Sequence, residues 1–188
     1  DLKEFAQNPP DRCYYCKTVI LRRMWEVAKQ EGIAEIVEGS NADDESDYRP
    51  GMRAVKEQKV KSPLKKAGLT KAEIRELSKE WGLPTWEKQS AACLASRFAY
   101  GEVITVEKLR QVEKAEEYLR GLGFGQLRVR VHGNLARLEL TEEDIKKLFL
   151  SGLQEEIDKT LKKLGYIYVT LDLRGYRMGS MNEVLTKK

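Results

Sequence analysis

The decapeptide NPPDRCYYCK places two thiols, Cys13 and Cys16, three positions apart directly after a rigid Pro-Pro pair. A third and last cysteine, Cys93, stands far downstream in SAACLASR. Three chemistries fit this inventory. Structural zinc wants four ligands, and His132, the single histidine, is the one residue that could complete the set, on a different predicted element. A redox dithiol suits a C-x-x-C pair at a helix start, where Cys16 falls, but gives Cys93 nothing to do. An iron–sulfur cluster held by three thiolates uses all three and leaves one iron without a protein ligand. The residue types alone leave these alternatives open.

Arginines form the second chemical signal. In QLRVRVHGNLARLEL the apolar Leu127, Val129 and Val131 alternate with Arg128, Arg130 and His132 up to a Gly133-Asn134 turn. Ala136, Leu138 and Leu140 then continue the apolar face on the return. A two-residue turn pairs Arg130 with Arg137 and Arg128 with Glu139 on one polar face. Opposed arginines are unfavourable unless an anion lies between them, and the guanidinium fork matches phosphate or carboxylate oxygens. The alternative is a solvated face of snorkelling side chains. DLRGYRMGSMN adds Arg174 and Arg177 around a glycine just past a predicted strand. The two clusters together point to an anionic small molecule, such as one bearing a phosphate.

The elements that must position these groups read as follows. Ile20, Met24, Val27 and Ala28 recur at helical spacing, predicting an amphipathic helix over about 17–30 that Gly32 stops. AEIVEG is a short strand, and GSNADDESDYRPG a polar loop at its carboxyl end, where ligands of parallel α/β sheets bind. Thr70-Lys71-Ala72-Glu73 is a capping box opening a helix to about Trp81. TWEKQSAACLASRFAYGE lacks periodicity and reads as a long loop, the kind of segment that often carries function. After Thr105 a helix aligns Leu109, Val112, Ala115, Leu119 and Leu122. The hairpin, two helices capped by Thr141 and Ser151, and a last strand YIYVTLDL complete an αββααβ carboxyl-terminal domain.

Composition sets limits. The 188 residues are 41% apolar and 34% charged with a net charge of +4, enough for a core in one or two domains and too mildly basic to argue for nucleic acid. No apolar run approaches the ~20 residues of a membrane span, and no leader is visible. Three cysteines do not make a disulfide framework, so the reducing cytoplasm is the expected location. The chain lacks an initial Met and opens on DLKEF, which reads as the interior of a longer protein.

Taken together, NPPDRCYYCK, GSNADDESDYRPG, SPLKKAGLTKAEIRELSKEWGLPTW, CLASRFAYGEVIT and GYRMGSMNEVL closely resemble the LarE family, over essentially the whole chain. These are ATP-dependent sulfur transferases of the PP-loop ATP pyrophosphatase superfamily, which build the nickel-pincer nucleotide of lactate racemase. The resemblance implies an α/β fold. Residues 1–100 would be the remainder of a PP-loop domain (adenine nucleotide alpha hydrolase-like, Rossmann-like) with a parallel sheet. Residues 101–188 would form a smaller α+β domain for substrate binding and oligomerisation. It implies that ATP with Mg²⁺ adenylates a carboxylate of pyridinium-3,5-biscarboxylic acid mononucleotide and that sulfur then displaces AMP, at each carboxylate in turn.

Members with only the cysteine matching Cys93 sacrifice its sulfur, whereas those that also carry the C-x-x-C resemble cluster enzymes. Cys13, Cys16 and Cys93 are therefore expected to hold a [4Fe-4S] cluster whose open iron carries the transferable sulfide. Lys17 matches a functional lysine, and Asn41 and Asp43 match the block lining the nucleotide site. Ser96 and Arg97 follow Cys93 in the family block, and Arg128, Arg130, Glu139 and Arg174, with Arg177 in the same basic cluster, match substrate or phosphate positions. The family's S-G-G-x-D-S loop, which cradles ATP phosphates, is absent from these 188 residues, so this chain is not expected to hydrolyse ATP and the activity is expected of an intact protein. A homo-oligomer such as a hexamer is implied, with a mononucleotide substrate, an unidentified sulfide donor, no nucleic acid and no membrane. The competing readings are a PP-loop tRNA thiolase with a three-cysteine cluster and a non-catalytic zinc or nucleic-acid module.

Overall fold

The computed structural model describes residues 2–45, 48–88 and 92–185. Its elements are α1 (Lys3–Ala6), α2 (Arg12–Gln30), α3 (Gly51–Glu57), α4 (Pro63–Lys66), α5 (Lys71–Glu80), α6 (Val106–Gly121), β1 (Arg128–His132), β2 (Leu135–Glu139), α7 (Glu142–Ser151), α8 (Gln154–Lys163) and β3 (Tyr168–Leu171). The chain is mixed α/β and divides into two compact units, residues 1–5 with 9–90 and residues 6–8 with 91–188. No described helix is long and apolar enough to cross a membrane.

In the first unit α2 packs on α3 over a core of Leu21, Ala28, Ile36, Ala54, Val55 and Val60, closed by Tyr14, Trp25 and Met52. The helix starts at Arg12 rather than near Lys17, so both cysteines lie within its first two turns. Its buried face also differs from the expectation. Leu21 and Ala28 are inside, while Ile20, Met24 and Val27 are 51%, 43% and 41% exposed. Both stripes satisfy a period of 3.6, and only the position of α3 selects between them. The predicted strand AEIVEG is reduced to one parallel bridge, Val37 to Lys61, flanked by Glu38 N–H to Lys61 C=O at 2.8 Å and Lys61 N–H to Ile36 C=O at 3.0 Å. The polar loop that follows carries a 3₁₀ turn at Ala42–Glu45. The capping box is present in full, with Thr70 and Glu73 exchanging side-chain and backbone bonds at the start of α5.

The second unit follows the expected αββααβ order. β1 and β2 pair antiparallel in the register Arg128–Glu139, Arg130–Arg137 and His132–Leu135, and β3 adds parallel to β2 after the α7–α8 crossover. Leu127, Val129, Val131, Ala136, Leu138 and Leu140 are buried, as are Val112, Ala115 and Leu119 of α6 and Ile157 and Leu161 of α8, with α6 packed on β1 and α8 on β3. Thr105 and Thr141 cap α6 and α7, accepting from the N–H groups of Lys108 and Asp144. Ser151 does not cap α8. It ends α7, its hydroxyl donating to Leu148 C=O at 3.1 Å, and Gly152 follows in the left-handed conformation. A serine directly before a glycine stop reads from sequence as a helix beginning as readily as an end, and here the left-handed Gly152 makes it the end.

The predicted loop around Cys93 holds a 3₁₀ turn, Leu94–Arg97, and then a parallel bridge from Phe98 to Val131 on the outer edge of β1; residues 89–91 of that loop lie outside the described residues. After β3 the chain turns at Gly175 (φ +63°), where a Cβ would sit 2.5 Å from the Leu140 carbonyl oxygen. That carbonyl accepts the Tyr176 N–H at 2.7 Å, which draws the carboxyl-terminal segment over the arginine face. Gly175→Ala should lower stability by more than the ~1–2 kcal/mol of a left-handed L-residue, since it also breaks this contact. Urea unfolding of the variant measures it, and unchanged stability would refute the close approach.

Candidate functional site

The candidate side chains fall into two clusters, one in each unit. In the first, α2 exposes Cys13 and half-buries Cys16 one turn later. At Gly51 the backbone of α3 comes so near that a Cβ would lie 3.2 Å from Lys17 Cδ and 3.5 Å from the Cys13 carbonyl oxygen. Lys17, the residue after Cys16, packs its aliphatic stem there and places its Nζ 3.2 Å from Glu38 Oε2. Glu38 also accepts from the hydroxyls of Ser40 (2.8 Å) and Ser62. Burial pushes the Glu38 carboxyl up, but the hydrogen bonds from Ser40, Ser62 and Lys17 outweigh it and hold the group below its ordinary value.

Asn41 and Asp43 shape the loop that follows. Asn41 Oδ1 accepts the Asp43 N–H at 3.0 Å, and Asp43 Oδ2 accepts the Lys71 N–H at 2.9 Å, at the first residue of α5. Asp44 accepts the Asn41 N–H at 3.0 Å and pairs with Arg49 at 2.9 Å. These local bonds set the course of a loop on the sequence-predicted nucleotide side.

The second unit assembles most of the predicted anion-binding residues. Cys93 is exposed and immediately precedes the 3₁₀ turn. Arg97, within that turn, is 3% exposed and forks onto Glu116 of α6, with Nε–Oε1 2.7 Å and the other nitrogen to Oε2 at 2.9 Å. Its remaining terminal nitrogen donates to the carbonyls of Ala92 and Cys93 at 3.0 and 3.2 Å and to the Ser96 hydroxyl. Arg130 holds the same turn from the sheet, donating to the Ser96 carbonyl at 2.7 Å. The thiol loop is therefore held from two sides by cations that are themselves buried.

Glu116 is fully buried and also accepts from Arg120 (2.7 Å) and from the Val129 N–H (3.1 Å). Desolvation raises its carboxyl, and the bonds from Arg97, the Val129 N–H and the nearby Arg120 charge override this, leaving it below its ordinary value.

Glu139 plays the parallel part on the sheet. Also fully buried, it accepts from Arg130 (2.9–3.0 Å), Arg137 (3.1 Å) and the Ser180 hydroxyl (3.0 and 3.2 Å). The opposed pair Arg130–Arg137 thus receives its anion from the protein. The chain of pairs continues from Arg137 to Asp172 at 3.5 Å, Asp172 to Arg177 at 3.1 Å, Arg177 to Glu183 at 2.9 Å and Glu183 to Arg174 at 4.0 Å. It begins and ends on arginine, four cations alternating with three carboxylates, so one positive charge is in surplus. Arg128, 7% exposed, lies over the Tyr176 ring at 5.1 Å, and burial and the Arg97 charge push its guanidinium below its ordinary value. The face read as polar is therefore buried too, beneath residues 172–184.

A cavity of about 330 Å³ opens over this network, bounded by Ser96, Arg97, Arg130, His132, Arg137 and Ser180 among others. His132 sits at its rim, where desolvation and the Arg137 charge lower its pKa. The structure so brings Ser96, Arg97, Arg130 and Glu139 to one place, with Arg128 on the same strand and Arg174 and Arg177 at the far end of the ion-pair chain. Sequence reasoning missed Glu116 and Ser180 as members, and it placed Arg137 opposite Arg130 without assigning it to the substrate-binding set. Glu116 left a trace: it is a carboxylate inside the Val112–Ala115–Leu119 stripe, where a charge needs a buried partner.

Within each unit, the described residues place no three His, Cys, Asp or Glu side chains together around a metal-sized point. The first unit offers two thiols one helical turn apart, a donor pair whose softness suits iron or zinc.

No protein-family model matches the chain. It is 46% identical over 183 residues to an uncharacterized Synechocystis protein, covering 97% of this chain and 68% of that one. It is 34% identical over 176 residues to an uncharacterized Methanocaldococcus jannaschii protein, covering 94% and 68%. A third relative is the pyridinium-3,5-bisthiocarboxylic acid mononucleotide synthase of Lactiplantibacillus plantarum, 41% identical over 180 residues, 96% of this chain and 64% of the synthase. The chain belongs to the family of these proteins. It spans about two thirds of the length of each, and the match to the synthase supports the LarE resemblance drawn from the sequence blocks.

The buried Glu116–Arg97 pair is what holds the Cys93 loop against α6, so Glu116→Gln should cost about 3–5 kcal/mol, the usual penalty for leaving a buried charge unpaired. Because the folded pKa of Glu116 lies below the unfolded value of about 4.3, its stabilisation is present above that pH and is lost as pH falls through the folded value. Urea titrations from pH 7 downward should show the wild type losing stability in the acid range with a steeper slope than Glu116→Gln. Identical slopes would mean the carboxylate is not the group responsible.

Proposed function

We propose that the intact protein is an ATP-dependent sulfur transferase that converts the carboxylates of pyridinium-3,5-biscarboxylic acid mononucleotide to thiocarboxylates, for the nickel-pincer nucleotide of lactate racemase. The observation that carries this reading is the 41% identity, over 96% of the chain, to a synthase named for that product. The basic cavity over Arg130 and Arg137 adds support, since the substrate is an anionic mononucleotide whose phosphate and carboxylates match guanidinium forks.

The chemistry demands activation first. A carboxylate resists nucleophiles until one oxygen becomes a leaving group, which adenylation by ATP with Mg²⁺ accomplishes; sulfur then displaces AMP. Asn41 and Asp43 are assigned to the nucleotide side, in a PP-loop fold whose phosphate-cradling loop belongs to the intact protein. Arg128, Arg130, Arg174 and Arg177 supply the positive field that holds substrate, with Glu139 fixing Arg130 in place. Ser96 and Arg97 set the orientation of the Cys93 loop.

For the sulfur source, Cys13, Cys16 and Cys93 are assigned as ligands of a [4Fe-4S] cluster. The donor set fits in kind: Cys13 and Cys93 are exposed and Cys16 partly so. When bound, such a cluster with one iron free of protein ligands supplies an exchangeable sulfide. Lys17, fixed by Glu38 beside the cysteine turn, offers a positive charge to anionic sulfur there. A cytoplasmic homo-oligomer completes the reading.

Anaerobic purification of the intact protein, followed by iron and sulfide analysis, should give about four irons per chain, and Cys93→Ala should lose them. Incubation with ATP and the mononucleotide should exchange oxygen for sulfur at each carboxylate by mass spectrometry. A colourless, zinc-loaded protein forming no thiocarboxylate would sink the proposal.

A further inference from the structure

The arginines of the second unit are not equivalent, and their hydrogen bonds show which of them can meet a ligand. Arg97 spends its whole fork on Glu116, two backbone carbonyls and Ser96. Arg130, 7% exposed, uses Nε and both terminal nitrogens on Glu139, the Ser96 carbonyl and Ser180. Binding an anion through either would require breaking bonds that hold the thiol loop.

Arg137 differs on each count. One of its terminal nitrogens bonds Glu139, and the other reaches Asp172 only at 3.5 Å, beyond good hydrogen-bonding distance. Its Nε is buried with no partner among the described residues. The side chain is 32% exposed and lines the cavity. Both of its carboxylate partners are shared, Glu139 with Arg130 and Asp172 with Arg177. The donor open to an incoming oxygen is therefore the terminal nitrogen that faces Asp172 beyond good hydrogen-bonding distance, on a guanidinium that is part-exposed and lines the cavity.

We propose that Arg137 is the residue through which this cavity contacts an anionic ligand oxygen, from a phosphate monoester or a pyridine carboxylate, while Arg130 and Arg97 serve as positioning residues for the loop bearing Cys93. The ligand class rests on the sulfur-transferase reading; the division of labour among the arginines rests on their bonds. It follows that substitution of Arg137 removes ligand affinity with little effect on the fold, because the bond to Glu139 is duplicated by Arg130 and Ser180.

The test titrates the full chain by calorimetry with ribose 5-phosphate in one arm and pyridine-3,5-dicarboxylate in the other. Arg137→Gln should weaken the arm that reports the true contact by about tenfold or more, the effect of losing a charge-assisted bond. Arg137→Lys, which keeps the charge and loses the fork, should recover part of it. The thermal midpoint of Arg137→Gln should stay close to wild type, whereas that of Arg130→Gln should fall. Wild-type affinity in Arg137→Gln for both probes, or no binding of either probe by the wild type, overturns the proposal. Arg137-dependent binding in a protein that makes no thiocarboxylate would leave the proposal standing and remove the sulfur-transferase reading instead.

Discussion

Two fully buried carboxylates, Glu116 and Glu139, organise the second unit. Each is desolvated, and each is compensated by two arginines together with a further donor, the Val129 N–H for Glu116 and the Ser180 hydroxyl for Glu139. Buried charges persist only when paired and hydrogen-bonded to this degree. Because the bonds come from the Cys93 loop, α6, both hairpin strands and the carboxyl-terminal segment, satisfying the carboxylates brings all of these together. The loop that carries Cys93 is thereby held through its backbone carbonyls, while the cysteine itself is exposed.

This arrangement changes what the arginines mean. An Arg opposite an Arg across a hairpin suggests a vacancy for an external anion. Here Glu139, two pairs further along the ladder, supplies the charge, and it reaches both partners because that spacing puts it on the same face. The basic character of the face survives only as the surplus of a chain of pairs that starts and ends on guanidinium. Most of the donors lining the cavity already point at protein oxygens.

The first unit uses the same principle more lightly. Glu38 collects Lys17, Ser40 and Ser62, tying the turn after the parallel bridge to the helix that bears Cys13 and Cys16. The close approach of α3 at Gly51 leaves Lys17 few alternatives. In the proposed reaction the exposed Cys13 and the half-buried Cys16 of this helix would hold sulfur chemistry, with Lys17 of the same helix held by Glu38.

Much of the local structure was written in residue order. The hairpin register around Gly133-Asn134, the Thr70–Glu73 capping box, the Thr105 and Thr141 caps and the apolar stripe of α6 depend on neighbours within a few positions, so period and turn chemistry sufficed to place them. The sequence blocks likewise carried the family likeness. What the chain order could not reveal were choices made by distant partners. Two apolar stripes on α2 compete, and α3 decides that Leu21 rather than Ile20 is buried. A carboxylate on α6 becomes structural because Arg97 arrives from a loop, and an alternating strand acquires a second buried face because residues 172–184 fold over it. Pairing energies between groups far apart in sequence depend on desolvation, and desolvation is a property of the assembled fold that no single segment possesses.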